Sequence, residues 1–384
     1  LRSSDLTGNW SSAIGFAGME VNALLELGGG DLLAGPEQLG VYRSADDGTS
    51  WTPSTEGINR VEISDACVDP ADTTTLLAAI SSQNSGITIY TDAGVDGWGP
   101  IESLPNPRFS LVSMGPSGNW YVVSDGPTTQ ANDGIYVSSD DGQTFTFLGP
   151  LSGDVMDHDI IHVHESDDGQ RLIAAGQYWS AGEWRPFVQE TLDGGQTWTE
   201  RFRGEPDHPA AALAVAHTGD LFLGVQGESI IHLDAAFVPT TIEIPGVVDG
   251  TVVDLAVCAR QPSTMLAVGN TESGATALGA FVSHDGGTSW TLVNFNAAPN
   301  EQPRFVAVHP YDCDLLFLAT WDGRLLSSSD GGLTWADLDY GDEVALRKIK
   351  LIELNDAYAA TLLLSGLGGI TGVQLETTVG AGEI

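Results

Sequence analysis

Short apolar runs alternate with polar positions along the whole chain, and this period of two predicts β-strands. Between residues 304 and 339, the runs RFVAVHP, LLFLAT, GRLLSS and TWADLD follow one another at strand length. The sequence shows no long apolar stripe with the period of about 3.6 residues that marks a helix. The pattern therefore predicts an all-β chain in which groups of four antiparallel strands repeat.

An eight-residue motif lies between the third and fourth strands of a group. It reads SADDGTSW at 44–51, SSDDGQTF at 138–145, TLDGGQTW at 191–198, SHDGGTSW at 283–290 and SSDGGLTW at 328–335. Its Asp carboxylate can accept hydrogen bonds from backbone N–H groups two residues on, and its Gly can adopt the positive φ that ends a turn. The motif thus predicts a hairpin turn. A calcium loop is longer and ends in Glu, so the motif does not predict a metal site.

Two weaker copies of the motif extend the repeat through Asp92 and Asp234. The motif aspartates, spaced 41 to 53 residues apart, are then Asp46, Asp92, Asp140, Asp193, Asp234, Asp285 and Asp330. A mean spacing near 47 residues divides the 384-residue chain into about eight units, or seven if one weak copy is irregular.

The two ends of the chain predict that the units close into one ring. Three strand-like runs follow Trp335 without a further motif, and the segment around Trp10 has the features of a fourth strand. We expect a single domain over 1–384, in which 344–384 form the inner three strands of the last unit and 1–18 form its outer strand. Such closure would cover both sheet edges.

The motif resembles the Asp-box, or bacterial neuraminidase repeat, of the sialidase-like and sortilin-like β-propellers. The resemblance implies a single propeller of four-stranded blades, eight or alternatively seven. It also implies that the motif aspartates are structural and lie on the face away from the ligand. The ligand face is then formed by the loops that precede each inner strand and the loops that join second to third strands. Because such propellers are mostly exported, the resemblance implies a secreted or cell-surface protein, although no signal peptide is recognisable within these residues.

The resemblance implies no particular activity. The Arg-Ile-Pro signature and Tyr–Glu pair of sialidases are not recognisable, and neither are the tandem rings of xyloglucanases or the Cys-rich tail of sortilin-like receptors.

Charge narrows the range of partners. The chain carries 52 acidic and 14 basic residues, for a net charge of −38. Such a surface repels nucleic acids and anionic membranes, and no apolar run is long enough to span a membrane. We expect no cofactor, no nucleic acid and a monomeric chain that binds a glycan or an extracellular protein.

Three cysteines allow one disulfide. Cys258 and Cys313 fall at similar positions of neighbouring units and could meet, whereas Cys67 lies across the ring. Three buried thiols are the alternative.

Basic and aromatic residues mark the expected ligand face. Arginines precede or begin inner strands at Arg60, Arg108, Arg304 and Arg347. They could bind anions, or they could pair with nearby acids such as Glu62, Glu301 and Glu343. A loop at 176–186 offers Tyr178, Trp179, Trp184 and Arg185, and Trp321 occupies the matching loop of a later blade. These side chains could stack on a sugar or peptide, or pack on their own blades.

Carboxylates on the same face permit hydrolysis without indicating it. The catalytic candidates are Asp157, Asp159, Glu205 and Asp207, because glycoside hydrolysis requires two carboxylates across the bond. His158 is a weak metal candidate whose spacing matches no defined motif. His162 and His164 alternate along the same inner strand.

The sequence therefore favours a non-catalytic module that binds a glycan or protein. A glycoside hydrolase or lyase acting on an acidic polysaccharide and an assembly scaffold are the alternatives.

Overall fold

The structure is a computed structural model. It describes residues 21–26, 32–36, 42–44, 52–53, 62–69, 75–82, 86–93, 99–101, 104, 109–124, 134–148, 151, 158–166, 169–180, 182–227, 229–271, 277–338, 346–353, 359–366 and 369–376. For some of these strand residues, among them His158 and those of 346–353, 359–366 and 369–376, only the backbone is described.

Seven four-stranded sheets and one three-stranded sheet occupy the described residues. Sheet 1 contains β1 (Val21–Glu26), β2 (Leu32–Pro36), β3 (Tyr42–Ser44) and β4 (Thr52–Pro53). Sheet 2 contains β5 (Glu62–Val68), β6 (Thr75–Ser82), β7 (Gly86–Ala93) and β8 (Gly99–Pro100). Sheet 3 contains β9 (Phe109–Met114), β10 (Trp120–Ser124), β11 (Gly134–Ser138) and β12 (Thr146–Phe147). Sheet 4 contains β13 (His158–Glu165), β14 (Leu172–Ser180), β15 (Glu183–Thr191) and β16 (Thr199–Arg203).

The remaining sheets follow the same order. Sheet 5 contains β17 (Ala210–Val215), β18 (Leu221–Val225), β19 (Ser229–Leu233) and β20 (Pro239–Ile242). A short 3-10 helix (Val248–Gly250) leads to sheet 6, with β21 (Val252–Val257), β22 (Met265–Asn270), β23 (Leu278–Ser283) and β24 (Thr291–Leu292). Sheet 7 contains β25 (Pro303–Val308), β26 (Leu316–Thr320), β27 (Leu325–Ser328) and β28 (Ala336–Asp337). Sheet 8 contains β29 (Leu346–Glu353), β30 (Ala359–Gly366) and β31 (Gly369–Glu376).

Each sheet is an antiparallel meander whose strands pair in chain order. From sheet 2 to sheet 8, the first strand of each sheet lies against the first strand of the next. In addition, β5 lies against β29 and β30, and β1 lies against β31. The prediction of repeated four-stranded antiparallel units is confirmed. The number of blades, the closure of the ring and the domain limits stay predictions, and the expected outer strand at 1–18 lies outside the described residues.

The core lies between sheets rather than within any one of them. The second strands β10, β18 and β26 are buried at every position, because both faces of a sheet are covered by its neighbours. The short fourth strands β24 and β28 are exposed at both of their residues. Because both faces of the second strands are buried, their sequences are continuous apolar runs such as LFLGV and LFLAT.

A β-bulge interrupts the first strand of each sheet near its start, as between Val252 and Asp254 in β21. A bulge bends the strand and changes the direction of the side chain that follows it. In β21, the carboxylate of Asp254 accepts a hydrogen bond from the backbone N–H of Val306 in the next sheet, at 2.8 Å. In β5, Asp65 occupies the same position, is 1% exposed, and accepts from Val112 N–H at 3.1 Å. These aspartates tie neighbouring sheets together.

The Asp–Gly motif folds as a turn whose polar groups bond one another. Asp140 accepts a hydrogen bond from the Ser138 hydroxyl at 2.8 Å, the Thr144 N–H at 2.8 Å and the Thr144 hydroxyl at 2.6 Å. The Ser138 hydroxyl oxygen also accepts from Gly142 N–H at 2.9 Å. The turns at Asp193, Asp285 and Asp330 repeat this arrangement. In these four turns the backbone donor to the carboxylate lies four positions on, and not two positions on as predicted.

The weaker copies depart from this arrangement. Asp234 accepts from the N–H groups of Ala236 and Val238 at 2.9 and 2.8 Å. The left-handed position there is Phe237, with a φ of 61°. Asp92 differs more, because its backbone is still part of β7 rather than of a turn. Asp46 lies outside the described residues.

The turn carboxylates are held in the ionised form. The hydrogen bonds from the Thr197 hydroxyl and N–H lower the pKa of Asp193 to about 2, and those from Thr334 lower the pKa of Asp330 to about 2. Bonds from Thr144 and Ser289 likewise lower the pKa values of Asp140 and Asp285. These groups are therefore charged acceptors with their bonds already filled.

Two consecutive left-handed residues close each turn, and this predicts unequal costs for alanine. Gly194 has a φ of 69° with open space around it, whereas a Cβ on Gly195 (φ 86°) would lie 2.7 Å from Leu148. We expect Gly194→Ala to cost about 1–2 kcal/mol from backbone strain, and Gly195→Ala to cost roughly a further 1–3 kcal/mol from overpacking. Urea unfolding of both variants measures the difference, and equal costs would contradict this account of the turn.

The hydrogen bond from Val306 N–H to Asp254, which joins sheets 6 and 7, predicts different losses of stability for two substitutions of Asp254. Asp254→Ala leaves the Val306 N–H without this acceptor, and we expect a loss of about 1–3 kcal/mol in the free energy of unfolding. Asp254→Asn is the matched control, since its amide oxygen can still accept the bond. If the two variants lose the same stability in urea unfolding, the hydrogen bond is not the cause.

Candidate functional site

The strand registers place the Asp–Gly turns and the inner-strand starts at opposite ends of each sheet. In sheet 7, Pro303 at the start of β25 pairs with Thr320, whereas the end of β27 at Ser328 pairs with Leu316. The turn that follows Ser328 is therefore at the end of the sheet away from Pro303. The end that carries the inner-strand starts is called the loop face below.

A cavity of about 500 Å³ opens on this loop face. Sheets 5, 6 and 7 each contribute to it, through segments that start inner strands or join second to third strands. Its lining residues are Gln226, Thr251, Val253, Asn270, Leu278, Gln302, Pro303, Arg304 and Trp321. No acidic side chain is among them, so the cavity itself offers no carboxylate pair for glycoside hydrolysis.

Arg304 and Trp321, both predicted from the sequence, meet in this cavity. The guanidinium carbon of Arg304 lies 5.4 Å from the centre of the Trp321 ring and 5.9 Å from that of Phe305. Trp321 is 47% exposed. Within the described residues, Arg304 makes no ion pair and no hydrogen bond. A guanidinium held over an indole ring by cation–π attraction keeps all its N–H donors available to a ligand.

The alternative in which Arg304 pairs with Glu301 was wrong. Glu301 instead contacts Arg324, with 3.2 Å between the carboxylate oxygen and Nη1, and accepts a hydrogen bond from Ala298 N–H. Arg324 also binds Asp337, and this pairing raises the pKa of the Arg324 guanidinium. Glu301, three positions before Arg304, is thus engaged by another arginine.

Backbone hydrogen bonds fix the walls of the cavity. The Trp321 N–H donates to Gln302 O at 3.2 Å, and the Asn270 N–H donates to Thr251 O at 3.0 Å. Two further ties join sheets 6 and 7 below the cavity: the Asp254 bond and a disulfide between Cys258 and Cys313. Cys67 is buried in β5. The cavity therefore lies above two sheets that are joined by a hydrogen bond and a disulfide.

Segment 176–186 is a hairpin and not the loop that was expected. Strands β14 and β15 continue through it and pair as far as Ser180 and Glu183. Trp179 and Trp184 are directly opposite each other, with ring centres 5.3 Å apart at 67°. Arg185 lies 3.7 Å from the Glu183 carboxylate.

The expected ligand role of Tyr178 was wrong. This side chain is 1% exposed and packs in the core between sheets 3 and 4. The Arg203 guanidinium covers its ring at 5.0 Å.

The predicted catalytic carboxylates do not form a defined pair among the described residues. Asp159 accepts a hydrogen bond from the Gln177 amide at 3.1 Å. Glu205 and Asp207 are exposed, and the Asp207 N–H donates to Trp184 O at 2.9 Å. Asp157 lies outside the described residues.

The described part of the chain holds no group of three His, Cys, Asp or Glu side chains that could bind a metal. The side chain of the weak metal candidate His158 is not described. The rings of His162 and His164 stack at 6.5 Å on β13.

The other predicted arginines cannot be placed. Arg60 and Arg108 lie outside the described residues, and Arg347 is in β29 with only its backbone described. The sequence reading missed the neutral lining residues Gln226, Thr251, Asn270 and Gln302. Only their position in the repeat could have identified them, because each lies where a second strand ends or just before an inner strand begins.

Comparisons with solved structures show that the fold is a β-propeller with four-stranded blades. YCF48 from Cyanidioschyzon merolae aligns with a TM-score of 0.58 at 14% identity, over 83% of this chain and 96% of that one. A structure of YCF48 bound to D1 peptide aligns with a TM-score of 0.55 at 16% identity, over 83% and 94%. The GH74 enzyme of Niastella koreensis aligns with a TM-score of 0.37 at 16% identity, over 93% of this chain and 62% of that one.

No protein-family model and no curated protein matches the sequence. In the described residues, no helix has the length and apolar character needed to cross a membrane.

Proposed function

We propose that this chain is a non-catalytic binding module that takes a carboxylate-bearing protein segment in the loop-face cavity. The observation that carries the proposal is Arg304, which has no carboxylate partner among the described residues of a protein with a net charge of −38. Its fork of N–H donors matches a carboxylate in two parallel hydrogen bonds. The adjacent Trp321 ring shields the pair from water and strengthens it.

The neutral lining favours a peptide as the carrier of that carboxylate. Gln226, Asn270 and Gln302 supply amide groups that can both donate to and accept from a peptide backbone. Val253, Leu278 and Pro303 add apolar surface for a side chain. A volume of about 500 Å³ accommodates a short segment rather than a domain. The peptide-bound YCF48 structure shows that a propeller of similar fold can hold a peptide.

We place this activity outside the cell or at its surface. The Cys258–Cys313 disulfide supports this proposal, because disulfides persist in oxidising compartments and are rare in the cytosol. The acidic surface is consistent with a soluble exported protein that avoids nucleic acid and anionic lipid.

The proposal predicts a charge-dependent loss of binding. A pool of hexapeptides with a free carboxylate should bind more tightly than the same pool with every carboxylate converted to an amide. Arg304→Gln should weaken binding by roughly ten- to a hundredfold, since a hydrogen bond to a charged group contributes about 1.5–3 kcal/mol. Isothermal titration calorimetry of the full chain measures both effects.

Arg185→Gln serves as the matched control, because Arg185 is on the same face but already contacts Glu183. Equal affinity for both peptide pools, or an unchanged affinity in Arg304→Gln, would contradict the proposed site. Cleavage of any peptide or glycan by the wild-type chain would contradict the non-catalytic role.

We further propose that sheets 2 to 8 form a ring of seven blades and that sheet 1 lies beside sheet 8. The contact of β5 with β29 and β30, together with that of β1 with β31, supports this arrangement. In a ring of eight, β5 would instead neighbour β1. Cysteine pairs introduced along β5 and β29 should therefore cross-link within one chain, whereas efficient cross-linking of β5 to β1 would indicate eight blades.

A further inference from the structure

The bulge near the start of each inner strand leaves one residue outside the pairing with the second strand. In β21 this bulge residue is Val253, and in β25 it is Arg304, because only the residues on either side of each are paired. Both side chains are half-buried, and both line the loop-face cavity. In these two consecutive sheets, the bulge residue is therefore a residue of the proposed site.

Arg347 occupies the same register position in sheet 8. The paired residues on either side of it are Leu346 and Lys348, which leaves Arg347 as the bulge residue of β29. Strand β29 lies against β25, and Cα atoms of the two strands come within 8 Å of each other. The repeat therefore places Arg347 in the sheet next to that of Arg304, at the same end and at the equivalent position.

The basic part of this series of positions covers two sheets. The bulge residues of the three preceding sheets are apolar, namely Ile161, Ala211 and Val253. A long polyanion would extend from the two arginines onto these apolar positions and over the surface of a chain whose net charge is −38, where repulsion disfavours it. A short ligand with two acidic groups matches the arginine positions without this penalty.

We propose that the site selects a peptide segment with two carboxylates, one bound by Arg304 and the other by Arg347. This inference rests on the function proposed above and adds a second charged contact to it. The Arg304 guanidinium is held over the Trp321 ring of its own sheet. A second acidic group is therefore the feature of a ligand that would use the arginine of sheet 8.

The spacing of the inner strands also suggests the spacing of the two acids. In an extended segment, side chains at positions i and i+2 are on the same side and about 6.6 Å apart, whereas those at i and i+1 face opposite sides. A separation of that size is compatible with two inner strands that come within 8 Å of each other. The preferred ligand is thus an extended segment in which one residue separates two acidic residues.

Isothermal titration calorimetry of the full chain tests this with three capped hexapeptides, which contain one Asp, two Asp separated by one residue, or two adjacent Asp. The peptide with separated acids should bind the wild type roughly tenfold or more tightly than the single-acid peptide, because it gains a second hydrogen-bonded charge pair. Arg347→Gln should remove this advantage. The affinity for the single-acid peptide should stay within about twofold at about 0.15 M salt, which screens distant charges.

Lys348→Gln is the matched control, because it removes the same charge one position further along β29. Its register position is that of Asp254 in β21, where the side chain bonds the next inner strand and does not line the cavity. This variant should keep the advantage of the separated acids. Arg347→Lys should keep part of the advantage, since it retains the charge and loses the paired N–H donors.

Equal affinity of the wild type for the single-acid and separated-acid peptides would overturn the inference, and this result depends on no variant folding. An advantage that persists in Arg347→Gln would also overturn it. So would tighter binding of adjacent acids, or of a hexapeptide with one phosphoserine, whose two charges are on a single group. In each case the proposed function would stand if the single-acid peptide still binds through Arg304. Failure of all acidic peptides to bind would contradict the proposed function itself.

Discussion

The hydrogen bonding inside the Asp–Gly turn is the constraint on which the rest of this structure depends. In the turns at Asp140, Asp193, Asp285 and Asp330, the carboxylate takes its donors from the hydroxyl residue two positions before it and from the hydroxyl residue four positions after it. The carboxylate therefore needs no partner from outside the eight residues of its own motif. Because the arrangement is local, it can be repeated in every unit and fixes where third and fourth strands meet. A motif whose acceptors are filled is also poorly suited to bind a ligand.

The Asp–Gly turns are alike at one end of the sheets, whereas the sequences of the loops at the other end differ from sheet to sheet. The loop face carries the cavity with Arg304 and Trp321, and it carries the long hairpin with the exposed Trp179. The sheets below the cavity are braced by the Asp254 bond and by the Cys258–Cys313 disulfide. Rigid walls reduce the conformational entropy that a ligand must remove on binding. The same inter-sheet packing that stabilises the propeller thus preorganises the proposed site.

The features that recur in every unit could be predicted from the sequence. Features found in one unit only were predicted less accurately. The alternation of apolar and polar residues predicted the strands, and the Asp–Gly motif predicted the turns. These predictions were correct because the same pattern occurs in several units. The segment 176–186 was expected to be a loop, and it is a hairpin. In the structure Gly176 lies opposite the bulge in β13, where a Cβ would come within 2.1 Å of the Asp159 carbonyl oxygen. The glycine therefore marks a close backbone approach and not the end of a strand. Arg304 and Trp321 could be proposed from their positions in the repeat, but their contact, and the amides around them, depend on how three sheets meet.

The separation of a structural end from a binding end is tested most directly by the titration of the motif carboxylates. Carbon-13 NMR of side-chain carboxyl groups measures the pKa of each aspartate in the intact chain. We expect Asp193 and Asp330 to titrate near 2, and Asp140 and Asp285 also to titrate below the usual 3.8. Motif aspartates that titrate with ordinary values would show that their carboxylates are not engaged within the turns. The turn end of the propeller would then be as open to a ligand as the loop face, and this would contradict a purely structural role for the turns.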